Sequence, residues 1–121
     1  MTTIGLVLDC ADPDRLAHFW ASALGYVKLA AAGNYVLLVA GDGAGPKLLL
    51  QRVPEAKSAK NRMHLDIVVP DIESEANRLV ALGAHRLTSG PMSEHGSTWL
   101  LMHDPEGNEF CVCDGGAGGG V

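Results

Sequence analysis

The chain repeats itself once, and that repeat constrains its fold more than any other feature. Leu6 to Gly25 reads as an apolar run, an Asp start, an amphipathic stretch and an Ala-Leu-Gly close. Leu65 to Gly83 reads the same way. Asp12 matches Asp71, and Ala23-Leu24-Gly25 matches Ala81-Leu82-Gly83 with one residue of slip. Two copies are too few for a solenoid, which needs about three stacked units or more. They predict one domain made of two fused half-domains. A chain of 121 residues has room for one such domain, with a core that needs no disulfide.

Local signals give each half its elements. Asp12 is placed to cap a helix, with Pro13 at the first helical position. Leu16, Phe19, Trp20, Ala23 and Leu24 follow at helical spacing, and Gly25 closes the helix. In the second half Asp71 caps, Ile72, Ala76, Leu79 and Val80 form the apolar stripe, and Gly83 closes it. Glu73 and Glu75 fall in the first turn, where negative charge is favourable. The strands predicted before and after these helices are Leu6 onward, Val27–Ala31, Asn34–Ala40 and Lys47–Val53 in the first half. In the second they are Met63–Val69, His85–Ser89, Ser97–His103 and Glu109–Cys113. Gly33-Asn34, the glycine-rich stretch 41–46, Gly90-Pro91 and Asp104-Pro105-Glu106-Gly107-Asn108 separate them as turns. Ser89 to Ser97 reads as a long loop. The last turn lacks the Asp/Asn spacing of a calcium loop.

The predicted fold class is therefore α+β: two tandem βαβββ modules forming a cup-shaped mixed sheet. The modules run over about 3–53 and 62–114, with a polar linker at 54–61. The glycine-rich tail 115–121 is expected to hold no single conformation.

Charge and cysteine usage exclude several functions. The net charge is −5, and the nine Lys and Arg are scattered, so no clustered basic face awaits nucleic acid. No apolar run approaches the roughly 20 residues of a membrane helix. The opening Met-Thr-Thr-Ile-Gly lacks the basic start and apolar stretch of a secretory leader, so the cytoplasm is the expected compartment. Three cysteines, an odd number, suit a reducing compartment better than a disulfide framework. Cys111-Val112-Cys113 has the wrong spacing for a zinc knuckle. It reads as buried small hydrophobes whose thiols share one side of a strand.

Strand alternation sorts the chemistry-bearing residues by face. Met63, Leu65, Ile67 and Val69 should pack toward a helix, leaving His64, Asp66 and Val68 opposite. Phe110 and Val112 should do likewise, leaving Glu109, Cys111 and Cys113. Leu48 and Leu50 alternate with Leu49 and Gln51, and Gly5, Val7 and Asp9 are the matching set in the first strand. If each half buries one face under its helix, the other faces line a concavity. It would carry Gln51, His64, Asp66, Glu109 and Cys111 among apolar neighbours, as small-molecule sites do. Each residue also has a structural reading. His64 can be a hydrogen-bonded strand histidine, Asp66 can pair with an arginine, and Glu109 can be a solvated turn-exit residue. Trp20 belongs to the core. Trp99 either lines the pocket or packs under the 89–97 loop. His18, His85 and His95 read as surface residues, and His103 as either surface or site.

The doubled layout resembles the vicinal oxygen chelate superfamily, which includes glyoxalase I, bleomycin-resistance and fosfomycin-resistance proteins and extradiol dioxygenases. The resemblance covers about 4 to 114. It rests on Leu8-Asp9-Cys10-Ala11-Asp12-Pro13 leading to Phe19-Trp20 and Leu24-Gly25, and on Arg52-Val53-Pro54-Glu55. Asn61-Arg62-Met63-His64-Leu65-Asp66 and Asp104-Pro105-Glu106-Gly107-Asn108-Glu109-Phe110 complete it. The pattern looks most like the glyoxalase-like branch. Metal-dependent members of the superfamily hold a divalent ion through side chains from the first and last strands of each half. The resemblance places those positions on Gly5, Gln51, His64 and Cys111. Gly5 has no ligand to offer, and the set His64, Gln51 and Cys111 is incomplete.

The leading functional expectation is accordingly a small-molecule binder with no full metal site. Gln51, Trp99, Tyr35 and His103 would contact the ligand. The acidic net charge suits a cationic ligand, and 5% aromatic residues is little for a large stacked one. The alternative is a lyase or isomerase. There His64 would be the acid/base with Asp66 or Glu109 as partner, or a ligand of zinc or nickel with Gln51 and Cys111. An accessory protein with no working site is the third reading. The resemblance implies a homodimer.

Overall fold

The computed structural model describes residues 2–115, so the tail from 116 onward lies outside the described residues. The chain divides into two compact units, Met1–Lys57 and Ser58–Val121, and the division falls within the stretch read as a linker. The architecture is α+β, with one mixed sheet and one helix in each unit.

The first unit follows the predicted order. Strand β1 (Gly5–Cys10) leads to helix α1 (Pro13–Leu24), then to β2 (Tyr26–Ala32), β3 (Tyr35–Ala40) and β4 (Lys47–Arg52). The sheet order is β1-β4-β3-β2. β4 runs parallel to β1, and the other pairs are antiparallel. Asp12 caps α1, its Oδ1 accepting the Arg15 N–H at 3.2 Å, and Gly25 ends it in the left-handed conformation. One face of α1, with Leu16, Ala17, Phe19, Trp20 and Ala23, is buried. It packs on the sheet side that holds the buried Val36, Leu38, Leu48 and Leu50. Trp20 is core, as its place on the apolar stripe required.

The second unit carries β5 (Asp66–Val68), α2 (Ile72–Leu82), β6 (His85–Arg86), β7 (Met92–Glu94), β8 (Ser97–His103) and β9 (Glu109–Cys113). Its order is β5-β9-β8-β6, with β7 also on β8. Asp71 caps α2 through the Ser74 N–H. Ile72, Ala76 and Leu79 face a core of Leu100, Met102, Phe110 and Val112.

Three expectations change here. The strand predicted over Met63–Val69 shrinks to Asp66–Val68, and Met63 is 73% exposed rather than packed. Parallel pairing with β9 begins only where the Leu65 carbonyl accepts the Cys111 N–H, so the ladder starts at Asp66. Val80, placed on the apolar stripe of α2, is 44% exposed. One residue is about 100° of helix, and Leu79 takes the inward position. The long loop 89–97 contains β7, while the strand expected at His85–Ser89 is only β6. β6 and β7 pair with opposite ends of β8, like one edge strand interrupted at Gly90-Pro91. β7 returns to β8 through a two-residue turn, His95-Gly96, both at positive φ. Two left-handed residues match the twist of a tight hairpin. Asn or Asp would have announced that turn in the sequence; His hid it.

Candidate functional site

Strand register assembles the site. In the second unit Asp66 pairs with Cys111 and Cys111 with Leu101. One step along, Val68 pairs with Cys113, Cys113 with Trp99 and Trp99 with Met92. One step back, Glu109 pairs with His103 and His103 with His85. Partners across a ladder share a face, so all these side chains lie opposite α2. His64 precedes Asp66 by two residues and joins them.

Three of these residues converge. One donor atom each from His64, Asp66 and Cys111 lies within 4.8 Å of the others. His64 Nδ1 is 3.4 Å from Asp66 Oδ1. That nitrogen is buried and has no hydrogen-bond partner. Cys111 is 2% exposed. Its thiol is pushed up to about 11, first by burial and then by the neighbouring Asp66 charge and Cys113, with Lys60 opposing. The thiol is therefore neutral near pH 7 unless a cation joins it. Beside the cluster, Trp99, Cys111 and Cys113 form a buried apolar floor with Leu101 packed on it. Trp99 thus stands on the site face.

The donor set fits a divalent ion. An imidazole nitrogen, a carboxylate oxygen and a sulfur suit a borderline ion of the zinc class better than magnesium or calcium. The buried, unpartnered His64 Nδ1 is the atom such an ion would satisfy. A dication beside Cys111 would also favour the thiolate that burial and Asp66 disfavour. Three protein donors leave a fourth position for a ligand. Asp66 was read from the sequence as a partner of His64 and not as a metal ligand. The signal was its place two residues on along the same strand face.

The other singled-out residues take different places. Glu109 is half-buried, and its Oε1 accepts the Asn61 N–H at 2.8 Å, which ties down the segment leading to His64. His103 is half-buried, its Nδ1 3.1 Å from the Asp104 carbonyl oxygen. His18, His85 and His95 are exposed, as read. Gln51 and Tyr35 belong to the first unit. There Gln51 lies between Asp9 and Tyr35 in the register. Counted from each capping aspartate, Val7 corresponds to Asp66. Val7 pairs with Leu49 as Asp66 pairs with Cys111, so Leu49 rather than Gln51 is the register counterpart of Cys111. Gly5 pairs with Lys47.

Comparison with known proteins places the chain. It has 13% identity to a glyoxalase/bleomycin resistance protein/dioxygenase family enzyme from Burkholderia phytofirmans, with a TM-score of 0.75 over 90% of this chain and 94% of that one. A glyoxalase-related enzyme from Fulvimarina pelagi gives 19% identity and a TM-score of 0.73 over 100% and 97%. A mutant of the fosfomycin resistance protein FosX from Listeria monocytogenes, in complex with Mn(II) and 1S,2S-dihydroxypropylphosphonic acid, gives 13% and 0.76 over 95% and 91%. At such identities the likeness is one of fold. No curated protein matches the sequence. No helix among the described residues is long and apolar enough to cross a membrane. The glyoxalase-like domain model matches residues 5–113, and the chain belongs to that family within the glyoxalase/bleomycin resistance/dioxygenase fold.

Proposed function

We propose that this chain binds a small oxygenated molecule on the face of its second unit opposite α2, anchored at the His64–Asp66–Cys111 cluster, which holds a zinc-class divalent ion. The observation that carries this reading is the buried His64 Nδ1. It lacks a hydrogen-bond partner and lies 3.4 Å from Asp66 Oδ1, on a ring that offers one donor atom within 4.8 Å of a carboxylate oxygen and a thiol sulfur. A buried polar atom left unsatisfied costs about 1–3 kcal/mol, so such an atom among two other donors points to a missing partner. The bound ion would supply Lewis-acid polarisation of a ligand oxygen. His64 and Asp66 orient that oxygen, and Trp99, Leu101 and Cys113 exclude water around the carbon skeleton. Glu109 holds the strand leader in place. The FosX complex contains both a divalent ion and a vicinal diol, which supports a hydroxylated ligand class for this fold.

A second reading needs no ion. The 3.4 Å approach of His64 to Asp66 suits a proton-transferring pair, in which Asp66 orients the imidazole and His64 moves the proton.

Elemental analysis of the purified full chain separates the two. One zinc or nickel per chain, retained through dialysis and lost in His64→Ala and Cys111→Ser, is the expected result. A chain that stays metal-free after reconstitution with zinc, and binds no cobalt with a thiolate charge-transfer band, overturns the ion-dependent reading.

A further inference from the structure

The outer edge of the same sheet carries a pair of nitrogen donors. β6 and β8 run antiparallel and set His85 directly across from His103. The two rings stack with centroids 4.9 Å apart and planes 29° from parallel. His103 Nδ1 lies 3.1 Å from the backbone carbonyl oxygen of Asp104. A carbonyl only accepts, so Nδ1 carries the hydrogen and the neutral ring keeps its lone pair on Nε2. Ligating imidazoles are held in this way, with one N–H anchored to a carbonyl and the other nitrogen turned to the ion. The Asp104 carboxylate has other partners. It is buried and accepts the N–H groups of Glu106 and Asn108 and the Asn108 side-chain amide. His85 is exposed, so its ring can turn about its side-chain bonds toward a shared ion.

We propose that His85 and His103 form a bidentate site for a divalent transition ion, distinct from the His64–Asp66–Cys111 cluster. Imidazole donors select zinc, nickel and copper over magnesium and calcium. The pair stands on β6 and β8, whereas the cluster stands on β9 and on β5 with its leader. Strands are roughly 4.8 Å apart, so the two sites are about two strand spacings from one another. Two protein donors leave several positions to water, so this site is the weaker of the two and exchanges more readily.

Calorimetric titration of Zn(II) into the metal-free full chain tests the proposal, with thermal melts confirming that each variant folds. Wild type is expected to show two classes of site. His64→Ala should lose the tighter one only. His85→Phe keeps an aromatic ring on the stack but removes the nitrogens, and should weaken the second site at least tenfold while leaving the first unchanged. A single zinc abolished by His85→Phe would sustain this site and refute the reading of His64. Unchanged stoichiometry and affinity in both His85→Phe and His85→Ala would overturn the proposal.

Discussion

At the scale of single residues, burial decides the chemistry of Cys111. Its thiol is raised from an ordinary 9.0 to about 11 because the folded chain removes it from water and sets Asp66 beside it. A group whose folded value is raised contributes stability below its unfolded value, and that contribution is lost as pH rises through the folded one. The metal-free protein should therefore lose stability between about pH 9 and pH 11, by roughly 2–3 kcal/mol for a shift of this size. Denaturant titration across that window checks it. The Cys111→Ser variant should lack this part of the slope, and saturating zinc should abolish it in wild type. A metal-free wild type whose stability falls no faster than that of Cys111→Ser would show that the thiol does not feel its burial. Asp66 and His64 were legible on one strand face by simple alternation. Alternation also placed Cys111 on that face, and the β5–β9 register decides which of the face's residues come within reach of one another by pairing Asp66 with Cys111.

At the scale of elements, caps and turns were the most legible features. Asp12 and Asp71 accept N–H groups three residues on, as side chains at helix starts do. Gly83 ends α2 at φ +118, and an added Cβ would sit 3.3 Å from Pro105 Cγ. Gly83→Ala should cost about 1–2 kcal/mol, since both the backbone conformation and the space resist a side chain. Chemical denaturation should read that loss as a lower midpoint with an unchanged slope. A loss of only a few tenths would mean that the turn relaxes around the methyl. β7 was illegible because its hairpin runs through His95-Gly96, and His95 takes the left-handed conformation without the Asn-Gly or Asp-Gly signature of such a turn. The shortening at Met63 was illegible for a similar reason: alternation marks which residues suit a strand, not where a partner strand ends.

At the scale of the whole molecule, ligand binding and stability are linked. An ion that binds the folded chain and not the unfolded one stabilises it by about 2.7 kcal/mol at a hundredfold excess over Kd. For a chain of this length that is a rise of roughly 10 °C in Tm. Zinc should produce most of this rise in wild type and in His85→Phe, and little of it in His64→Ala. Equal rises in all three proteins would place the bound zinc elsewhere.

The repeat by itself determined the plan of this protein: two βαβββ halves, each with a capped amphipathic helix and alternating strands. Those features are periodic and local, so short-range sterics and burial write them directly into the residue order. Alternation already gathered His64, Asp66 and Cys111 on one face, and only the tertiary structure decided which members of that face come within reach of one another. It joined Asp66 to His64 and Cys111, committed Glu109 to the Asn61 backbone, set His85 against His103, and aligned Leu49 rather than Gln51 with the position of Cys111. Each of these depends on which strands lie side by side and in what register. Register is a property of paired strands, and no single stretch of sequence carries it.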